Sequence, residues 1–223
     1  MVVPIWYLGP PPVPKRGPHD GEHEDDGAQR RGDPPAGSGP DRLLGRGPPR
    51  VRLQLQGRKR DLALFNLAID SKLRGCDLVR LRVDDVCAGG RVRDRGTVIQ
   101  KKTGRPVQFE IMEQTRASIQ DWLSKVELRN GRYLFPSRLR AQPHLSTRQY
   151  ARIVHAWVKS AGLDSSAYGT HSMRRTKAAQ IFRKTGNLRA VQLLLGHTKL
   201  ESTVRYLGIE VDDALSISEQ VEL

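Results

Sequence analysis

The chain has no long apolar run. A membrane-spanning helix needs about 18 or more consecutive apolar residues, and no such stretch occurs in the 223 residues. Nothing in the sequence is therefore expected to cross a bilayer. The opening segment MVVPIWYLGPPPVP is apolar only briefly and is broken by proline, which makes it a poor signal peptide. Cysteine is scarce. Cys76 and Cys87 are too few for a disulfide framework or a zinc site, and a cytoplasmic, reducing compartment is the default expectation. Acidic residues are also in short supply: 38 Lys+Arg stand against 24 Asp+Glu, a net charge of +14. That excess favours a polyanionic partner, either nucleic acid or an anionic membrane surface. A membrane-surface role would need a basic amphipathic helix with a clean apolar face, whereas the basic residues here are scattered over several segments. No membrane partner is expected.

The first fifty residues differ from the rest. Residues 8–50 are dominated by Gly, Pro, Arg and Asp. Apolar residues are too sparse there to offset the ordering entropy, so residues 1–50 are expected to form a disordered tail and residues 51–223 a single folded domain. His19 and His23 have the look of a metal pair but sit in that solvated tail. The basic segments contain no Asp/Glu/His cluster with metal-ligand spacing. Neither a metal nor a nucleotide cofactor is expected. Charge is not confined to the tail: residues 1–60 carry a net +4 and residues 61–223 a net +10.

Periodicity supplies the elements. Leu62, Phe65, Ile69 and Leu73 recur at helical spacing after Asp61, and Cys76–Leu81 reads as a second, short helix. Thr97–Gln100 and Pro106–Ile111 are β-rich runs flanking Lys102-Thr103-Gly104-Arg105, whose turn chemistry predicts a hairpin. Helices are expected over 113–127, with Ile119, Trp122, Leu123 and Val126 on one face, and over Thr147–Ala161, with Tyr150, Val154, Trp157 and Val158. A further helix covers Arg174–Lys184. Asn187 caps one that runs to Leu195 and ends at Gly196. Thr198 or Lys199 opens the next, and Asp212 starts a last one through about Ser218. The expected fold is mostly α with one small antiparallel β-sheet, an α+β domain.

Cleaving a phosphodiester without metal requires a nucleophile, cations on the non-bridging oxygens, a proton donor for the leaving oxygen and some base assistance. Arg74 lies between two expected helices, with Asp77 placed to buttress it. His171 and Arg174 form His-x-x-Arg in GTHSMRRTKAA, where Thr170 is placed to cap a helix whose N-terminus favours an anion. Gly196-His197 precedes Tyr206 in LLLGHTKLESTVRYLG. Lys101 and Lys102 occupy the hairpin. Each piece alone has an ordinary reading: a solvated arginine, an exposed basic helix face, a cap-region histidine, a core tyrosine, a solubilising turn lysine. It is their order and spacing together that are unusual.

The series Arg74, Lys102, His171-x-x-Arg174, Gly196-His197 and Tyr206 resembles the tyrosine recombinases, or phage-type integrases, over residues 58–218. It is similar in particular to short bacterial integrase-like proteins. The resemblance implies that Arg74 and Arg174 clamp the scissile phosphate and that Lys102 protonates the leaving 5′ oxygen. It implies further that His171 assists as base, that His197 hydrogen-bonds the phosphate, and that Tyr206 attacks to form a 3′-phosphotyrosyl link. Because that link stores the bond energy, rejoining needs no ATP. Double-stranded DNA is the implied partner, with self-association on paired sites. The sequence departs from the family pattern at Asp77, where the family often has Glu, and at Arg175, where it often has His. Lys101 rivals Lys102 for the acid. Larger members carry an N-terminal core-binding domain that residues 1–57 do not resemble. Two other readings stay open: a topoisomerase-type enzyme working as a monomer, and a DNA-binding remnant that no longer recombines.

Overall fold

The structure, a computed structural model, describes residues 49–125, 133–139 and 141–209. Its centre is α2 (Lys59–Ser71), in which every residue from Ala63 to Ser71 is buried. The periodic pattern predicts one buried stripe, but α2 is enclosed on nearly all sides. It packs against α1 (Pro49–Leu55), α5 (Glu113–Leu123), α7 (Thr170–Thr185) and the strand β4 (Pro106–Glu110). It also begins two residues before Asp61. Asp61 lies in the first turn, where a carboxylate opposes the positive end of the helix dipole, and it pairs with Arg58 at 2.6 Å and Arg60 at 2.8 Å. Phe65 meets Trp157 of α6 (Thr147–Ser160) edge to face, with ring centroids 5.4 Å apart. The side chain of Ser146 caps α6 by accepting from the Gln149 N–H.

Two two-stranded antiparallel sheets are present among the described residues, where one was expected. Ahead of both, the short helices α3 (Gly75–Leu78) and α4 (Val83–Val86) follow α2. The extra hairpin joins β1 (Cys87–Ala88) to β2 (Arg91–Val92) through Gly89 and Gly90, both at positive φ. Such a Gly-Gly pair suits a two-residue hairpin turn, because only residues without Cβ enter that region without strain. The expected hairpin is β3 (Arg95–Ile99) with β4, in the register Gly96↔Phe109, Val98↔Val107 and Ile99↔Pro106. Its turn closes through Gln100 N–H to Arg105 O (2.9 Å) and Gly104 N–H to Gln100 O (2.8 Å).

The helix expected over Arg174–Lys184 starts four residues earlier. Gly169, not Thr170, is its N-cap residue, and the Gly169 N–H donates to Ser172 Oγ. Asn187 caps α8 (Leu188–Leu195) as its residue type suggests, through Oδ1 accepting from the Ala190 N–H. Then α9 (Leu200–Leu207) follows, with Lys199 as N-cap residue. Val126 and the helix expected from Asp212 lie outside the described residues. Two clusters form the interior. The large one gathers α1–α6, β4 and Met173. The small one consists of Ala178, Val191 and Leu195, with Ile181, Phe182, Tyr206 and Leu207 packed against it. No described helix is long and apolar enough to cross a membrane.

Candidate active site

Residues from five separate elements meet where the two clusters adjoin. Arg74 is the N-cap residue of α3 and stands at the end of the turn that leaves α2. That turn is made by Lys72, the only non-glycine at positive φ among the described residues. Its fully buried side chain holds the strained conformation in place: Nζ donates to the Asp70 carbonyl (2.6 Å) and pairs with Glu110 (2.7 Å). Lys177, three residues after Arg174 on α7, pairs with the same Glu110 (2.8 Å) and with Asp70 (2.9 Å). Asp70 also accepts from Met112 N–H and Thr115 Oγ1. This four-charge network therefore ties the segment bearing Arg74 to the helix bearing Arg174. Burial pushes the Lys72 ammonium below its ordinary value, against the pull of Glu110, whereas hydrogen bonds to Glu110 and Asp70 outweigh burial and raise Lys177.

Arg174 is 2% exposed. Its Nη2 donates to the Leu195 carbonyl at 2.6 Å and lies 3.5 Å from His197 Nε2. Its Nη1 is buried with no partner at hydrogen-bonding geometry among the described residues, and the Tyr206 hydroxyl is the side chain near enough to bear on the guanidinium. Arg74 and Arg174 are close enough for each to affect its neighbours' ionisation, and burial together with Arg74 lowers Arg174. Two guanidiniums held this near each other favour an anion between them. Asp77 does not buttress Arg74 as expected. Its Oδ1 instead accepts the Lys101 N–H at 2.9 Å, pinning the hairpin turn.

His197 follows Gly196, whose φ of +64° ends α8. A Cβ at Gly196 would lie 2.6 Å from Val107 Cγ2 and 3.1 Å from the Gln100 amide, so only glycine lets α8 seat on the hairpin. A guanidinium can only donate. If the long Nη2 contact is a hydrogen bond, Nε2 of His197 is the acceptor and Nδ1 carries the proton, shared with Thr203 Oγ1 at 3.1 Å. Burial and the charges of Arg174 and Arg74 push this imidazole down to about 4, so it is neutral at physiological pH.

Tyr206 lies beside all of these. Its ring centroid is 5.4 Å from that of His197, 5.4 Å from the Arg175 guanidinium carbon and 5.8 Å from that of Arg174. Burial pushes the phenol up, and Arg174, Arg175 and Arg74 only partly offset it. The hydroxyl donates to the backbone carbonyl of His171 at 3.3 Å.

The structure thus brings together Arg74, Arg174, His197 and Tyr206. It places His171 at the same point through its main chain, while the imidazole is exposed. Lys101 and Lys102 are both exposed in the turn, and neither side chain has a hydrogen-bond partner among the described residues. A sequence profile described as the phage integrase family matches residues 54–211.

The chain belongs to the phage integrase family. It is 30% identical over 158 residues to the probable integrase/recombinase YoeC of Bacillus subtilis, covering 71% of this chain and 82% of YoeC. Other curated recombinases that it matches are longer, and the chain spans 37% to 57% of their length. Among solved structures it resembles the XerA recombinase, with TM-score 0.62, 20% identity and coverage of 85% of this chain and 66% of that one. It also resembles XerH bound to its difH substrate before cleavage, with TM-score 0.57, 21% identity and coverage of 72% and 46%. At these identities the structural likeness speaks to fold. Sequence reasoning did not single out Gln100, which the structure buries completely between Arg74 and Leu195. A signal was present: along β3 the inward positions are Gly96 and Val98, so alternation carries Gln100 inward and leaves apolar Ile99 70% exposed.

Proposed function

We propose that this chain is a site-specific DNA recombinase of the tyrosine type, breaking and rejoining DNA through Tyr206. The observation that carries the reading is the convergence of Arg74, Arg174 and His197 on Tyr206, with Arg174 Nη1 buried and unpartnered. A non-bridging phosphate oxygen fits that vacant donor. The two planar forks then neutralise charge that grows on the phosphorus oxygens as a fifth bond forms. In the forward step the Tyr206 oxygen bonds to phosphorus and the bond from phosphorus to the 5′ oxygen breaks. Lys102 gives that oxygen a proton, and the phenol proton passes to a base, the role assigned to His171. The reverse step uses the free 5′ hydroxyl as nucleophile, so no external energy source is consumed. His197, neutral at rest, hydrogen-bonds the phosphate.

Charge around the site supports DNA as the partner. Lys101, Lys102 and Arg105 are exposed on the turn, and Lys199 and Arg205 on the α9 side. Contacts from such residues to phosphates gain affinity through counterion release. Action on paired sites requires self-association. Leu193 on α8 (63% exposed) and Leu200 on α9 (42%) leave apolar side chains at the surface. We assign these side chains to residues 210–223 of a second copy, which carry Val211, Leu215 and Ile217 and follow α9 in the sequence. Deleting residues 211–223 then impairs paired-site recombination more than single-site cleavage; equal loss of both would favour folding back onto the same domain instead.

The test of the chemistry is a suicide substrate nicked beside the scissile phosphate. The wild-type chain is expected to form a covalent adduct, and Tyr206→Phe to form none while still shifting DNA in a gel. An adduct persisting in Tyr206→Phe would move the nucleophile elsewhere, with Tyr168 the first place to look.

A further inference from the structure

Gln100 is 0% exposed and is held at both ends of its amide. Oε1 accepts from Arg74 Nη1 at 2.5 Å and from Thr103 Oγ1 at 3.0 Å. Nε2 donates to the Leu195 carbonyl at 3.3 Å, the same oxygen that receives Arg174 Nη2. The amide's orientation follows from its partners: a guanidinium only donates and a carbonyl only accepts, so oxygen must face Arg74 and nitrogen must face Leu195. One side chain therefore touches the first arginine, the turn that bears Lys102 and the acceptor of the second arginine. Gly196, where a Cβ would press on this amide at 3.1 Å, closes the same seam.

The partner types matter as much as the geometry. Arg74 is oriented by an amide oxygen and Arg174 by a peptide oxygen, both uncharged. The nearby carboxylate, Asp77, accepts the Lys101 N–H through Oδ1 and acts on Arg174 through space, without a direct ion pair to either arginine among the described residues. A neutral acceptor fixes the direction of a guanidinium without cancelling its charge, whereas a carboxylate in the same place would compete with the phosphate.

We propose that Gln100 is a positioning residue for DNA cleavage: it sets Arg74 against Arg174 and against the Lys102 turn while leaving both arginines fully charged. This rests on the cleavage reading given above. A phosphodiester is the ligand it prepares for, and Gln100 itself need not touch it.

The experiment compares single-turnover cleavage by wild type, Gln100→Met, Gln100→Glu and Thr103→Val on two suicide substrates, one with a 5′-bridging oxygen and one with a 5′-bridging sulfur. A thiolate leaves without a proton, so the sulfur substrate removes the need for Lys102. Gln100→Met keeps the length and loses every hydrogen bond. Its cleavage of the oxygen substrate is expected to fall about 100-fold, the scale of a misplacement of about 1 Å, with gel-shift affinity nearly unchanged. On sulfur the deficit is expected to shrink to about 10-fold, the residue being the loss at Arg74. Thr103→Val, which breaks only the link to the turn, is expected to show a smaller deficit that sulfur abolishes. It also serves as the readout if Gln100→Met does not fold. Gln100→Glu keeps both acceptor bonds but adds a charge, and is expected to cleave more slowly than Gln100→Met. Cleavage by Gln100→Met within about threefold of wild type, a deficit identical on both substrates, or a Glu variant faster than the Met variant would each overturn the proposal. Sulfur rescue of Lys102→Ala in the same assay tests the underlying mechanism separately. If that rescue succeeds while Gln100→Met shows no deficit, only the role of Gln100 falls.

Discussion

The two sides of the site rest on very different foundations. Arg74 and the β3–β4 hairpin stand on the large cluster, whose central helix α2 is buried almost all round. Among the described residues, His197 and Tyr206 stand on α8 and α9, whose fully buried apolar cluster is just Ala178, Val191 and Leu195 with Ile181, Phe182 and Leu207 half-buried beside it, and α9 itself buries only Thr203 fully. Helix α7 belongs to both, with Met173 in the large cluster and Ala178 in the small one. The difference separates two tasks. A phosphate clamp gains from a frame that does not yield, because misorientation weakens every fork contact. A nucleophile that must attack and later be expelled gains from a mounting whose local opening costs less than global unfolding.

The largest expected effect is at the seam. Arg174→Lys keeps the charge but loses the fork that reaches both Leu195 O and the phosphate, and cleavage is expected to drop about 1,000-fold. A smaller loss than in Arg74→Lys, measured by single-turnover cleavage, would put the clamp's weight on the large-core side alone. Next come the two interiors. Phe65→Ala removes a ring from the large cluster and is expected to cost about 3–5 kcal/mol, lowering the melting temperature of the whole domain. Val191→Ala is expected to cost about 1–2 kcal/mol at most. It should raise amide exchange in α8 and α9 and slow cleavage, with α2 protection unchanged. Equal loss of protection in α2 and α9 would show one cooperative unit and end the comparison. Glu110→Gln, which strips the shared anion from Lys72 and Lys177, is expected to destabilise by about 2–3 kcal/mol, less than a fully enclosed pair because Glu110 is partly exposed.

A last effect is in pH. His197 has its affinity for a proton depressed from 6.5 to about 4 by folding. Between those values the unfolded chain binds the proton that the folded chain refuses, so stability falls as the pH drops from about 6.5 towards 4 and is unaffected by this group above that window. Urea melts across this range should show His197→Asn flattening the dependence. An unchanged slope in that variant would assign the acid sensitivity elsewhere.

Local chemistry made much of this readable in advance. Periodicity located α2, α5 and α6, Lys102-Thr103-Gly104-Arg105 announced a turn, and Asn187 and Gly196 marked the two ends of α8. The order of motif residues named side chains of which the fold brings Arg74, Arg174, His197 and Tyr206 together, while the Lys102 side chain and the His171 imidazole lie exposed. What escaped depended on partners far off in the chain. Gln100 meets Leu195 across 95 residues, and a hairpin pattern says nothing about that meeting. Asp77 looked like a neighbour for Arg74 because it is three residues away, yet its oxygen faces a backbone N–H 24 residues on. The Gly89-Gly90 hairpin was missed because strands of two residues carry no period.

The hydrogen bond from Tyr206 to the carbonyl of His171 has a bearing on how such a protein stays harmless between encounters. A peptide oxygen is far too weak a base to take the phenol's proton, so this hydrogen bond holds the hydroxyl without activating it. Burial at the same time holds the phenol above its ordinary pKa. On the cleavage proposed above, the resting molecule carries its nucleophile in a safety position. Arming it requires something to turn the hydroxyl off that carbonyl, and a phosphate oxygen arriving beside Arg174 is suited to do so. On that proposal, the DNA to be cut also releases the catch.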